Sequence, residues 1–150
     1  MSIEKETLGL AGEYAVAAEL CKRGIYTQLA LGNKKSTDLL VEKNGIYVGV
    51  EVKSRQTNKG WPAIKGISGD LSLLVFVDFL NKESIERPDF YVLTAKEWRK
   101  ITLKRAQKNP SLSIGKDNVP RWEDGSSWVG IQIKVDDIKE HKEKWEKFTS

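Results

Sequence analysis

Apolar and polar residues alternate most regularly between Asp38 and Lys53, on either side of Asn44-Gly45. Asn-Gly between two β-rich runs is a strong hairpin signal, because a type I′ turn needs positive φ at both central positions. With those two residues as the loop, Lys43 pairs with Ile46. The register then runs through Glu42 with Tyr47, Val41 with Val48, Leu40 with Gly49, Leu39 with Val50 and Asp38 with Glu51. Side chains of a strand alternate between its faces. One face holds Leu39, Val41, Ile46, Val48, Val50 and Val52; the other holds Asp38, Leu40, Gly49, Glu51 and Lys53. A slip of one residue would bury Glu51 and Lys53 among the valines, so the register is strongly specified.

The pattern elsewhere is helical or strand-like by turns. Leu8, Ala11, Ala15 and Ala18, with Val16 and Leu20, predict a helix over residues 4–23, stopped by Gly24. Residues 25–32 read as a short edge strand or connector. The stretch 54–70 is rich in glycine and polar residues, with Arg55, Lys59 and Lys65 as cations; its helix propensity is weak, and a mobile, basic, substrate-facing loop fits as well as a helix. Its Trp61 is either a lid on the core or a ring for stacking on a base. Leu71 to Leu80 is almost continuously apolar and suits a strand covered on both faces. Asp78 within it either caps the strand end or faces a polar cavity. After a turn at Arg87-Pro88-Asp89 comes a strand at 90–93. Thr94 and Glu97 then form a capping box for a helix running to about Lys108, with Trp98 and Ile101 on its buried side. Residues 109–127 predict a long loop in which Arg121-Trp122 is available to a substrate or a second subunit. A last strand is expected at 128–135. Ile138, His141, Trp145 and Phe148 then predict an amphipathic helix over 136–148, with His141 packed rather than a ligand. The sum is an α/β fold: a central mixed β-sheet flanked by helices, with an extra C-terminal helix.

Composition narrows the chemistry. The 150 residues suit one domain with a sizeable core. No apolar run approaches the length of a membrane span, and the N-terminus lacks the basic and apolar segments of a signal peptide. Cys21 is alone, which argues for a reducing, cytoplasmic setting and a half-buried structural thiol. The single histidine, His141, leaves no zinc cluster and no Ser-His or Cys-His catalysis. A net charge of +4 is compatible with nucleic acid without being diagnostic.

The polar face of the hairpin then stands out. Directly opposed residues have Cβ atoms about 5 Å apart, so Asp38 and Glu51 repel unless a cation lies between them. Gly49 is expected to leave open space beside them. Hard oxygen donors in such a pocket suit Mg²⁺ or Mn²⁺. Lys53, two residues on, is placed to hold an attacking water and offset developing charge. The plainer reading is a solvent-facing strand with an Asp38–Lys53 salt bridge.

Asp38, twelve intervening residues and then Glu51-Val52-Lys53 resemble the PD-(D/E)xK signature of the restriction-endonuclease-like nucleases. Within that superfamily, residues 9–55 resemble the archaeal-type Holliday junction resolvase branch. The matching pieces are Gly12-Glu13, Gly24-Ile25, Ser36-Thr37-Asp38 and Glu51-Val52-Lys53-Ser54-Arg55; Thr37 stands where the motif has proline. The resemblance implies a restriction-endonuclease-like core. It also implies Asp38 and Glu51 as ligands of Mg²⁺ or Mn²⁺, Lys53 as the catalytic lysine, and Glu13 as a helix acid completing the site. Read from its residues alone, Glu13 is a solvated helix position.

Contacts to DNA are expected from Lys35 before the hairpin and from Arg55, Gln56 and Lys59 after it. Arg99 and Lys100 on the cationic helix are candidates too, although that face is equally readable as solvated. The expected function is metal-dependent hydrolysis of DNA phosphodiester bonds, on branched or otherwise structured DNA. The alternative is a binding module on the same fold without turnover. A homodimer is plausible because paired cuts need two sites.

Overall fold

A computed structural model describes residues 2–30 and 37–149. Its elements are α1 (Lys5–Lys22), β1 (Thr27–Leu29), β2 (Leu39–Lys43), β3 (Ile46–Arg55), β4 (Trp61–Ile64), β5 (Leu73–Asp78) and β6 (Asp89–Thr94). There follow α2 (Ala95–Lys108), β7 (Leu112–Ile114), β8 (Pro120–Trp122), β9 (Ile131–Ile133), α3 (Val135–Ile138) and two 3-10 turns, Lys139–His141 and Trp145–Phe148. Five strands form a central sheet in the order β1-β2-β3-β5-β6. β3 and β5 are parallel and the remaining neighbours antiparallel, so the sheet is mixed.

The hairpin folds in the expected register, from Lys43 opposite Ile46 to Leu39 opposite Val50. Asn44 and Gly45 take φ of 53° and 82°, as a type I′ turn requires. Its apolar face is buried from Val48 to Val52, while Ile46, at the tip, is exposed. Every residue of β5 is buried. The capping box is formed: Thr94 Oγ1 accepts from the Glu97 N–H, and Glu97 Oε1 accepts from the Thr94 N–H.

Two apolar layers cover the sheet. On one side α1 contributes Val16 and Leu20, and the C-terminal turns contribute Trp145 and Phe148, against Val50, Val52, Val75 and Val92. On the other, Trp98 of α2 and Trp61, Ile131 and Ile133 of the β4–β9 pair cover Leu74, Phe76 and Leu93. Helix α1 lies close on β3. A Cβ at Gly12 would stand 1.9 Å from Ser54 Oγ and 3.2 Å from Ser54 Cβ.

Four expectations are corrected. The 54–70 stretch contains β4, which pairs with β9 through Trp61 opposite Ile133 and Ile64 opposite Ile131. Trp61 is 1% exposed and belongs to the core. The 109–127 loop folds as a β7–β8 hairpin, with Leu112 opposite Trp122. Cys21 is exposed rather than half-buried. The single C-terminal helix is broken: Lys142 bridges to Tyr91, and Glu143, at φ 56°, donates its N–H to the Phe90 carbonyl. β6 is an edge strand with backbone groups to satisfy, and that demand overrides the helical period of the side chains. His141 is packed, as expected, at 7% exposure. Among the described residues no helix is long and apolar enough to cross a membrane.

Candidate active site

The polar side of β3 faces the layer that holds α2 and β4, with the Arg55 guanidinium over the Trp61 ring. Parallel pairing puts Glu51 beside Leu74, Lys53 beside Phe76 and Arg55 beside Asp78. The expected pairing of Asp38 with Glu51 is not made: Asp38 lies just before β2, off its ladder, and donates its N–H at 2.9 Å to the carbonyl of Val50, the residue that already faces Leu39. Its Oδ2 accepts the Val52 N–H at 2.7 Å, and its carbonyl accepts the Ala30 N–H at 2.9 Å. The carboxylate is therefore fixed beside β3 by backbone on either hand.

Glu51 is 6% exposed. Its Oε1 meets Lys53 Nζ at 2.9 Å, while its Oε2 is buried without a hydrogen-bond partner. Lys53 thus pairs with Glu51, not with Asp38 as the plainer sequence reading had it. Burial pushes the Glu51 carboxyl above its ordinary range; Lys53 opposes that shift, Asp38 adds to it, and the Lys65 charge opposes it. Burial also raises Glu13, with the Asp38 charge second. Asp38 is therefore the acid whose field reaches both Glu13 and Glu51.

Gly49 does not leave open space. A Cβ there would come within 3.1 Å of Thr37 Oγ1 and 3.3 Å of its Cγ2. Thr37 fills the gap, so the room beside the acids is smaller than the hairpin pattern suggested.

The other candidates are dispersed. Arg55 is locked to Asp78 by a two-armed pair, Nε to Oδ1 at 2.9 Å and Nη2 to Oδ2 at 2.7 Å, and its guanidinium lies 4.5 Å from the Trp61 ring centre. This accounts for Asp78 inside an apolar strand: it neutralises a nearly buried arginine. Gln56 is tied to the Ile3 backbone, accepting its N–H at 2.8 Å and donating to its carbonyl at 2.5 Å. Lys59 is exposed and its carbonyl accepts from Gln132 Nε2. Arg99 holds the β7–β8 turn through the Gly115 carbonyl at 2.9 Å and Asn118 Oδ1 at 2.8 Å. Lys100 lies along a groove between α2 and the C-terminal turns, where Asp136, Asp137 and Glu140 are interleaved with the lysines. Lys35 lies outside the described residues.

Lys65, exposed just after β4, is a further cation whose charge acts on Glu51, the weakest of the influences on that carboxyl. Its segment is fixed from α2: Gly66, at φ 80°, sits where a Cβ would be 1.9 Å from Trp98 Nε1. Trp98 in turn donates to the Asn118 carbonyl at 3.0 Å, and Asn118 Nδ2 donates to the Ile67 carbonyl at 3.2 Å.

The donor set suits a hard divalent cation. Two carboxylates, one with a buried oxygen lacking any partner, are what Mg²⁺ accepts from protein while keeping waters. Among the described residues, no three Asp, Glu, His or Cys side chains converge into a ligand cluster.

No family model matches this chain, and no curated protein matches it. Solved structures do. A bacterial homing endonuclease, I-Ssp6803I, is 22% identical over 63% of this chain and 68% of its own, with a TM-score of 0.43. Hjc, a Holliday junction resolvase of Archaeoglobus fulgidus, is 14% identical over 85% of this chain and 98% of its own, with a TM-score of 0.39.

Proposed function

We propose that this chain is a divalent-metal-dependent DNA endonuclease. The observation that carries the proposal is Glu51. It is a buried carboxylate with one oxygen on Lys53 and the other on nothing, next to a second, backbone-fixed acid, Asp38. A buried charge left short of partners is costly unless something at the site completes it. Asp38 and Glu51 would hold Mg²⁺ or Mn²⁺, with Glu13 adding negative charge from the helix side. The ion would supply Lewis acidity at the phosphate and an acidified water.

The chain's own groups do the rest. Hydrolysis adds water across one P–O bond, leaving a phosphate monoester and a free hydroxyl. Lys53, 37% exposed at its side chain, presents an ammonium able to donate to that water or to a non-bridging phosphate oxygen. Lys65, whose charge also acts on Glu51, adds positive charge for the substrate's phosphates. The net charge of +4 favours a polyanion in general. The residue resemblance extends the proposal to branched or otherwise structured DNA, and paired cuts on such a substrate would take two copies of the chain.

The test is cleavage of supercoiled plasmid and of a synthetic four-way junction with Mg²⁺, Mn²⁺ or EDTA, comparing wild type with Lys53→Ala and Glu51→Ala. Metal-dependent cutting lost in both variants supports the proposal, and the preferred DNA names the substrate. No cutting of either DNA, with equal DNA binding by all three proteins, sinks it and leaves a binding module on this fold.

A further inference from the structure

The ring that the sequence suggests for stacking, Trp61, is buried; the exposed one is Trp128, at 68%. It stands at the rim of a groove of 500 Å³ lined by Pro62, Ala63, Trp122, Asp124, Trp128 and Gln132, on the outer side of the β4–β9 pair. Exposed tryptophan is unusual, because its large apolar surface favours burial.

The turn that presents Trp128 is tied down throughout. The Trp128 N–H donates to Ser126 Oγ at 3.3 Å, and the Ser126 N–H donates to Asp124 Oδ1 at 3.0 Å. The Trp128 carbonyl accepts the Trp122 N–H at 3.0 Å, and Trp122 Nε1 donates to the Gly130 carbonyl at 2.9 Å. Ser127 and Gly130 hold φ of 60° and 97°. This many bonds fix the backbone from which the indole projects.

Charge indicates what that ligand is. Strand β4, one wall of the groove, is bracketed by two exposed lysines, Lys59 before it and Lys65 after it. Lys59 is joined to the groove directly, because Gln132 of the lining donates to its carbonyl. The same strand meets the candidate active site, because the Arg55 guanidinium of β3 lies over the ring of Trp61 in β4. Neither lysine is in an ion pair among the described residues. The one acid of the lining, Asp124, is held by Ser126 at the turn. An exposed ring at a groove, one wall strand of which carries an exposed lysine at each end, matches a nucleic-acid strand, with a base on the ring and phosphates on the lysines.

We propose that this groove is a stacking site for an unpaired nucleobase, with Trp128 as the platform and Lys59 and Lys65 as phosphate contacts. The proposal rests on the nuclease reading and refines its substrate to DNA with single-stranded or unstacked bases.

The experiment is equilibrium binding of a fluorescein-labelled single-stranded oligothymidylate in EDTA by wild type, Trp128→Ala, Trp128→Phe and Lys59→Ala/Lys65→Ala. Metal-dependent plasmid cleavage by the wild type is run beside it. Loss of one stacked base is expected to weaken binding about tenfold in Trp128→Ala, with Trp128→Phe close to wild type. The double lysine variant is expected to bind with a shallower salt dependence, by roughly one unit of slope. Equal affinity for wild type and Trp128→Ala overturns the site and leaves the groove to a protein partner. Equal loss in Trp128→Phe also overturns it, since the ring is then not the contact, as does no oligonucleotide binding by the wild type. Plasmid cleavage that persists in any of these cases keeps the nuclease reading, and its absence removes that reading independently.

Discussion

Glu19 and Glu51 are equally buried, each 6% exposed, and their surroundings are opposite. Glu19, on α1, is met by Lys22 and Arg23, each at 2.9 Å, and by Arg87 at 2.8 Å. Arg87 extends the network to Glu143, which accepts Trp145 Nε1 at 2.6 Å. The Glu19 carboxyl is held down to about 2, chiefly by its bonds to Arg87 and against the effect of burial. Glu51 has one lysine and an oxygen with no partner, and burial wins: its carboxyl is pushed up. Burial alone therefore does not decide what an acid does. A saturated acid fastens the α1 layer to the C-terminal turns, whereas an acid left short of partners is open to a new one.

The strongest way to break this contrast is by activity. Lys53→Ala and Glu51→Ala are each expected to slow plasmid cleavage about 100- to 1,000-fold, while Glu19→Gln leaves the folded protein's rate unchanged. A rate loss in Glu19→Gln at a temperature where it is fully folded would erase the distinction. Next in size is the response to metal without turnover. Mg²⁺ or Mn²⁺ at a hundredfold excess over its dissociation constant should stabilise wild type by about 2.7 kcal/mol in thermal melts. The shift should vanish in Glu51→Gln and persist in Glu19→Gln. An equal shift in both variants would place the ion elsewhere.

The hairpin and its acids were legible because turn chemistry and the two-residue period act locally. Asn44-Gly45 fixes the loop, and the valines then decide which face Glu51 and Lys53 occupy; Asp38 leaves the ladder just before β2, which the two-residue period does not show. The capping box at Thr94 was legible for the same reason. What escaped the sequence depends on partners far along the chain. Arg55 answers Asp78, β4 finds β9, and Thr37 fills the space over Gly49. Strands of three or four residues, as in β7, β8 and β9, are too short to show a period. The C-terminal helix was misread because the open edge of β6 outweighed a sound amphipathic stripe.

Stability sharpens the contrast further. Glu19→Gln is expected to cost about 2 kcal/mol at neutral pH, since it weakens hydrogen bonds to charged partners. For a chain of this length that lowers Tm by roughly 4–8 °C. The pH dependence follows the direction of each shift. Glu19 is depressed from 4.5 to about 2 in the folded chain. Its contribution is therefore present above pH 4.5 and fades as pH falls towards 2, where wild type and Glu19→Gln should converge. Glu51 is raised from 4.5, so its contribution is complete below that pH and is lost as pH rises. Urea denaturation across pH should show Glu51→Gln becoming the more stable protein towards neutrality; a variant less stable than wild type there would mean the site acid is satisfied after all. The smallest effect belongs to the exposed ring: Trp128→Ala should change stability by no more than about 0.5 kcal/mol, and a larger loss in the same denaturation series would mean that the indole is structural.

The close fit at Gly12 sets how far α1 stands from β3. A methyl group at position 12 would meet Ser54 on β3, and the next residue along the helix is Glu13. The absence of one carbon atom thus acts as a gauge, setting how near a helix-borne acid stands to a strand-borne one. Glu13 therefore takes its height above the sheet from a neighbour that bears no functional group at all.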